Sequence, residues 1–309
     1  MRTYTILSLA LVLILGACKN NTKEETTEKP KETVTIQHQL GSATVVKNSK
    51  RVVALDYASL ENLDELGIEV MGIPKSHVPQ YLKKYETDEN VANLGTIFEV
   101  DYEKLNELEP DVIFISARME TKYEELTNIA PTIYLTSDQS QMMESFKTNM
   151  EVFGKLFDKQ ETAQNIVDRV DNKVAALNKK AQESGQTGLI ILHNNGKFSA
   201  FGKGSRFGVI HSLFGFREAV ENLETARHGQ AVSNEFIQKA DPDYLFIVDR
   251  SAVVNKKATN KEEVENAMIQ QTKAYKNGNI VYLDPEAWYL SGDGVTSFEI
   301  MINDVDSNF

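Results

Sequence analysis

At 309 residues, 41% of them apolar and 25% charged, the chain is long enough for two domains or one large one and is neither a disordered polymer nor a bundle of membrane spans. Its 33 basic and 45 acidic side chains leave a net charge of −12 with no basic run, which excludes nucleic acid as an expected partner. One cysteine excludes an intrachain disulfide and any Cys-rich zinc or iron–sulfur site.

That cysteine ends the first predicted element. Arg2 is followed at residues 6–15 by ten uncharged, mostly apolar residues, about half the roughly 20 needed to cross a bilayer as a stable helix. A basic start, a short apolar core and small residues form the layout of a secretory signal. Leu15-Gly16-Ala17-Cys18 resembles the bacterial lipobox, in which the cysteine is lipidated and becomes the new N-terminus. A signal peptide over residues 1–17 and a lipid anchor on Cys18 are therefore expected. Residues 18–33, rich in Lys, Glu, Thr and Asn, have almost nothing apolar to bury and are predicted to be a solvated tether. The body of the protein is expected outside the cell, held on the outer face of the membrane.

After the tether, Val34-Thr35-Ile36 and Ala43-Thr44-Val45-Val46 read as a hairpin turning at Leu40-Gly41-Ser42. Residues 51–56 read as a buried strand, 59–66 as a helix stopped by Gly67, and 69–73 as a second strand. Strands alternating with helices predict an α/β sheet of parallel type. An internal repeat then doubles the architecture. Glu103, Pro110-Asp111, Phe114-Ile115 and Arg118 recur as Glu235, Pro242-Asp243, Phe246-Ile247 and Arg250, each pair 132 residues apart. Two copies at this distance mean a duplicated lobe rather than a solenoid. In each copy a short helix carries the Glu and breaks at Pro-Asp, an apolar strand crosses the sheet, and the Arg emerges past its C-terminal end. Ligands of open α/β sheets bind outside the carboxyl ends of the strands, so two facing lobes would bring Arg118 and Arg250 to a shared cleft. Between the copies, Ala163, Ile166, Val167, Val170, Val174 and Leu177 form one apolar helix stripe, with no Gly or Pro from Lys155 to Ser184. This predicts a long inter-lobe helix, which favours small lobe movements over wide closure.

Taken together, these features resemble the substrate-binding proteins of iron–siderophore ABC importers. Gly204-Ser205-Arg206-Phe207-Gly208, residues 228–235 from His228 to Glu235, and Asp284-Pro285-Glu286-Ala287-Trp288-Tyr289 are similar to the catecholate-siderophore binders, petrobactin receptors included. The resemblance implies two Rossmann-like lobes with parallel-type sheets joined by one long helix, divided as a first lobe over 34–140, a helical segment over 141–183 and a second lobe over 184–309. It implies ligand contacts at Arg118, Arg206 and Arg250, among which Tyr57 is also placed, because a ferric catecholate is anionic and a guanidinium offers a permanently charged fork of donors. It further implies that His228 and Tyr289, both expected in loops, close the iron shell when a siderophore leaves two positions open. Glu103 and Glu235, on matched helices, would dock on the dimeric membrane permease.

The expected cargo is thus an Fe(III)–siderophore complex, carried by a monomer with no intrinsic cofactor and no catalytic residue. Haem or another iron cargo is the alternative, with Tyr289 or His228 as axial ligand. An enzyme would need an acid–base or nucleophile constellation, and none is visible in the sequence. Gly202-Lys203-Gly204-Ser205 fits neither phosphate-binding glycine pattern, since Phe207 stands where the third glycine would be. His38, His77, His193 and His211 show no metal-ligand spacing and read as structural.

Overall fold

The computed structural model describes residues 31–309 other than 225, 227 and 255–259; the signal segment, Cys18 and most of the tether lie outside the described residues. An antiparallel hairpin opens the fold, β1 (Thr33–His38) paired with β2 (Gly41–Val46). Its turn sits at Gln39 and Leu40, earlier than predicted, because Gly41 is already paired with His38. A five-stranded sheet follows, made of β3 (Val52–Ala54), β4 (Gly72–Ile73), β5 (Ala92–Asn93), β6 (Val112–Ile115) and β7 (Thr132–Tyr134). Its strands are parallel in the order β5-β4-β3-β6-β7.

The second sheet comprises β8 (Thr187–Asn194), β9 (Lys197–Phe201), β10 (Arg217–Glu218), β11 (Gln230–Val232), β12 (Tyr244–Asp249) and β13 (Ile280–Tyr282). It runs β11-β9-β8-β12-β13, with β10 beside β8. This sheet is mixed: β8, β12 and β13 are parallel, whereas β9 pairs antiparallel with both β8 and β11. The reason is local. Asn195 and Gly196 both have positive φ, 50° and 73°, the requirement of a tight two-residue hairpin turn that returns the chain beside β8.

Strand periodicity sorts the core. Val52, Ala54, Val112 and Phe114 face one way, while Val53, Leu55, Ile113 and Ile115 face the other. In the second sheet Ile190, Phe246 and Val248 separate likewise from Leu189, Ile191, Leu245 and Ile247. The first set from each sheet joins a single apolar cluster with the helices Met142–Phe157, Gln160–Ser184 and Val295–Asp306. The Gln160–Ser184 helix has 25 residues and buries the predicted stripe together with Ala181; at 1.5 Å per residue it is roughly 37 Å long. It stops at Gly185, which takes the left-handed conformation.

The two halves are stitched together by polar contacts as well. The C-terminal helix, which follows the second sheet in sequence, starts against the Tyr57–Glu65 helix of the first half: Val295 N–H donates to Asn62 Oδ1 at 3.0 Å and Ser297 N–H to Glu61 Oε2 at 2.7 Å. These carboxylate and amide oxygens satisfy amides that a helix N-terminus leaves unpaired. Gln80 N–H donates to Glu286 Oε2 at 2.7 Å, and Arg169 of the long helix bridges Glu65 and Glu299, each at 2.8 Å. No helix among the described residues is long and apolar enough to cross a membrane.

Candidate functional site

Both repeat units place their arginine as the spacing requires. The Tyr102–Glu107 helix, capped by Asp101, leads into β6, and Arg118 lies three residues past the strand. The Asn234–Ala240 helix, capped by Ser233, leads into β12, and Arg250 follows that strand directly. Glu103 and Glu235 are exposed in the first turns of these two helices. Arg206 comes from the glycine-rich loop, where Ser205 N–H donates to the Gly202 carbonyl and Gly208 N–H to the Ser205 carbonyl. A Cβ at Gly208 would stand 2.7 Å from the Gly202 oxygen, so only glycine allows this coil to close beneath Arg206.

The three arginines line one cavity of about 540 Å³, within the range of small-ligand sites. All three guanidiniums converge on Tyr289. Arg118 donates to the Tyr289 and Leu290 carbonyls, each at 2.8 Å. Arg206 donates to the same Tyr289 carbonyl, and its guanidinium lies 4.5 Å from the centre of the Tyr289 ring. Arg250 Nε donates to the Tyr289 hydroxyl oxygen at 2.8 Å, and its Nη1 donates to Asn194 Oδ1 at 3.2 Å. Asn194 is the residue that ends β8 at the hairpin turn, so the mixed sheet also orients an arginine. Each guanidinium has five N–H groups, and these bonds engage one or two on each, which leaves donors for an incoming anion.

Tyr289 is not in a loop, as predicted, but in a five-residue π-helical turn, Glu286–Leu290. Asp284 nucleates it by accepting the Glu286 and Ala287 amides at 2.9 Å on its carboxylate and the Trp288 amide at 3.0 Å on its carbonyl. The carbonyls of Tyr289 and Leu290 fall at the end of this turn, where a helical backbone has unpaired acceptors and a partial negative charge, and cations fill that role here.

Tyr57 requires a correction. It is 1% exposed, and its hydroxyl donates to the Ser76 carbonyl at 2.9 Å, so it belongs to the core beneath the site rather than to the cavity wall. It starts a helix whose apolar face is buried, and burial pushes its hydroxyl well above the ordinary phenol range. His228 does line the cavity, exposed, on the loop before β11. Its neighbour Gly229 (φ +71°) lies flat on the Phe201 ring, where a Cβ would come within 2.7 Å.

Among the cavity residues that the sequence did not single out, Asp293 and Phe98 matter for its chemistry. Asp293, whose carboxyl is raised by burial and held back by Ser137 and the charges of Arg118 and Arg206, adds one acid to the basic wall. Phe98 contributes an exposed ring from the first half. Burial, followed by the Arg118 charge, pushes Arg206 down to about 10, so it still carries its proton at neutral pH. Burial also lowers Arg118, against the raising influence of Asp293. Among the described residues no group of three or more His, Cys, Asp or Glu side chains is placed to hold a metal ion. His193, which read as structural, is buried beside Asp249, its Nδ1 3.3 Å from Oδ1.

Residues 52–287 match the family described as Periplasmic binding protein. The chain is 42% identical to the petrobactin-binding protein YclQ of Bacillus subtilis, over 99% of this chain and 98% of that one. Against the solved structure of YclQ the TM-score is 0.87, covering 90% of this chain and 99% of that chain. It is 34% identical to the ferric-anguibactin-binding protein FatB of Vibrio anguillarum, over 97% of this chain and 95% of the relative. The periplasmic catecholate-siderophore binding protein VctP of Vibrio cholerae superposes with a TM-score of 0.85 at 34% identity, covering 89% of this chain and all of that one. The fold of two α/β halves joined by a long helix is thus shared with the solved structures, and the chain belongs to the periplasmic binding protein family.

Proposed function

We propose that this chain captures a ferric catecholate siderophore in the cavity between its two sheets and delivers it to an ABC permease for iron uptake. The observation that carries this reading is the convergence of Arg118, Arg206 and Arg250 on one residue. A fixed cluster of positive charge in a partly dry cavity suits a compact anion, because each charge-assisted hydrogen bond contributes about 1.5–3 kcal/mol. The names of the relatives support the same cargo class. An anionic chelate fits this wall better than haem does, whose large apolar ring would need an apolar slot. The protein acts by binding and release and performs no reaction of its own.

Where the siderophore fills only four iron positions, His228 and Tyr289 complete the shell, since imidazole and phenolate are good ligands for iron. The Tyr289 oxygen accepts one bond, from Arg250, and retains a lone pair for a metal. Cys18 carries the lipid anchor, and two or more acyl chains suffice for lasting attachment. Glu103 and Glu235 engage the two halves of the permease dimer. Replacing both by alanine is expected to stop iron uptake while siderophore binding persists, because both are exposed and neither lines the cavity. Loss of binding in that double variant would remove the docking role.

Trp288 provides the direct test of the cargo. It is the only tryptophan in the chain, it borders the cavity next to Tyr289, and its Nε1 is fixed on Asp304 at 3.0 Å. Ferric catecholates are expected to quench its emission saturably, whereas ferric hydroxamates are expected not to. Equal quenching by both classes would refute the catecholate assignment.

A further inference from the structure

Among the described residues only Phe98, Val254 and Tyr275 are large apolar side chains left exposed, and Phe98, at 62%, is the most exposed of them. It is also the one that lines the cavity. Leaving a phenyl ring in water forgoes the free energy that burial would supply, and this ring is held there by a tight turn. Thr96 Oγ1 accepts the Phe98 amide at 3.0 Å and the Glu99 amide at 2.9 Å, and Thr96 N–H donates to the Glu99 carbonyl at 2.9 Å. Gly95 closes the loop at φ +96°, with the Glu99 oxygen 2.6 Å from where a Cβ would be. A backbone fixed in this way presents the ring at a set place on the cavity rim, so that less order has to be imposed when a ligand arrives.

The ring does not stand alone. The Arg118 guanidinium carbon lies 5.9 Å from its centroid, and Tyr289 and Arg206 line the same cavity. A catecholate whose oxygens accept from Arg118 carries a six-membered ring beyond those oxygens, on the scale of the distance from Arg118 to the Phe98 ring, and aromatic rings attract one another at centroid separations of 4.5–7 Å. The geometry points to Phe98 as the specificity-determining residue that stacks on an aryl ring of the cargo, selecting aryl chelates over chelates that are merely anionic. This inference rests on the proposed function and adds to it the surface that reads the ring.

The test uses the ferric complex of a linear bis-catecholate, two 2,3-dihydroxybenzamide groups on an alkyl linker, titrated by Trp288 emission. Phe98→Ala is expected to weaken binding at least tenfold, Phe98→Leu nearly as much, and Phe98→Tyr to stay within about threefold of the unaltered protein. Because the ring is exposed in the free protein, all three variants are expected to keep its unfolding midpoint. The dependence of affinity on salt should keep the same slope in Phe98→Ala, since a ring contact carries no charge; a shallower slope would mean that Phe98 acts only by positioning Arg118, and would overturn the stacking role. Unchanged affinity in Phe98→Ala would overturn the inference while leaving the cargo class intact, as would full affinity in Phe98→Leu or unchanged binding with lost uptake. Failure of the unaltered protein to bind the bis-catecholate would overturn the proposed function and this inference together.

Discussion

Replacing Arg206 by alanine is expected to weaken binding of a ferric catecholate by ten- to a hundredfold, the largest loss among the three arginines. Arg206 stacks on Tyr289 at 4.5 Å and on Phe207 at 5.1 Å, so its direction is fixed before any ligand arrives. It is already partly buried, and that burial is the main cause that pushes it down to about 10. An anion that reaches it therefore gains a charge-assisted bond without a large further desolvation cost, a contribution of about 1.5–3 kcal/mol. Arg206→Lys should recover only part of the affinity, because an ammonium restores the charge but not the planar fork or the ring contacts. The stability of the ligand-free protein should change little, since the bond to the Tyr289 carbonyl is lost while repulsion from Arg118 is relieved. Titration of Trp288 emission and an unfolding curve measured on the same sample check both statements. Affinity equal to that of the unaltered protein would show that the anion lies elsewhere.

Glu61→Gln is expected to remove a pH dependence from stability. Glu61 is fully buried at the junction of the two halves, where its carboxyl accepts from Ser297 N–H at 2.7 Å and from the Tyr81 hydroxyl at 3.1 Å. Burial pushes it up from 4.5 to about 7, against the lowering influence of Ser297, Ser291 and Tyr81. Between those two pH values the folded chain holds a proton that the unfolded chain has released. Stability therefore falls as pH rises through the window, by up to about 1.4 kcal/mol per pH unit, and levels off above it. Asp56, raised by burial to about 6, slopes the same way between its own ordinary value and that point, so a smaller slope should survive in the variant. Glutamine keeps an oxygen for the Ser297 amide but cannot ionise. The variant's stability relative to the unaltered protein should thus be higher at pH 8 than at pH 5 by about 2–3 kcal/mol. Urea unfolding at the two pH values measures this, and parallel pH curves for the two proteins would contradict it.

Much of the site was legible because its chemistry is carried by residue type and chain position. Arg118 and Arg250 follow apolar strands at matched places in a repeat, and Arg206 sits in a glycine coil whose purpose could be inferred from Gly204 and Gly208. What each arginine holds was not legible, since the shared acceptor is the backbone carbonyl of Tyr289, and a carbonyl has no signature in the sequence. Where Tyr57 points was not legible, because the residue type implied by a resemblance does not fix the direction of a side chain; its helix, capped by Asp56, turns it into the core. Phe98 had a local signal, a threonine–glycine turn at the end of a strand, but nothing in the turn says that the ring overhangs a cavity formed with residues far along the chain.

The amino-acid order by itself determined the two α/β halves, the long helix between them and the basic character of whatever they enclose, because strand alternation, helix spacing and permanent charge are local properties. Only the tertiary structure decided that Glu61, on a helix whose sequence reads as half polar, is buried as a cap for a helix that begins 234 residues later at Val295. Only it brought three distant guanidiniums to one tyrosine. Burial and convergence depend on which surfaces meet, and that is settled by packing across the whole chain rather than by any segment of it.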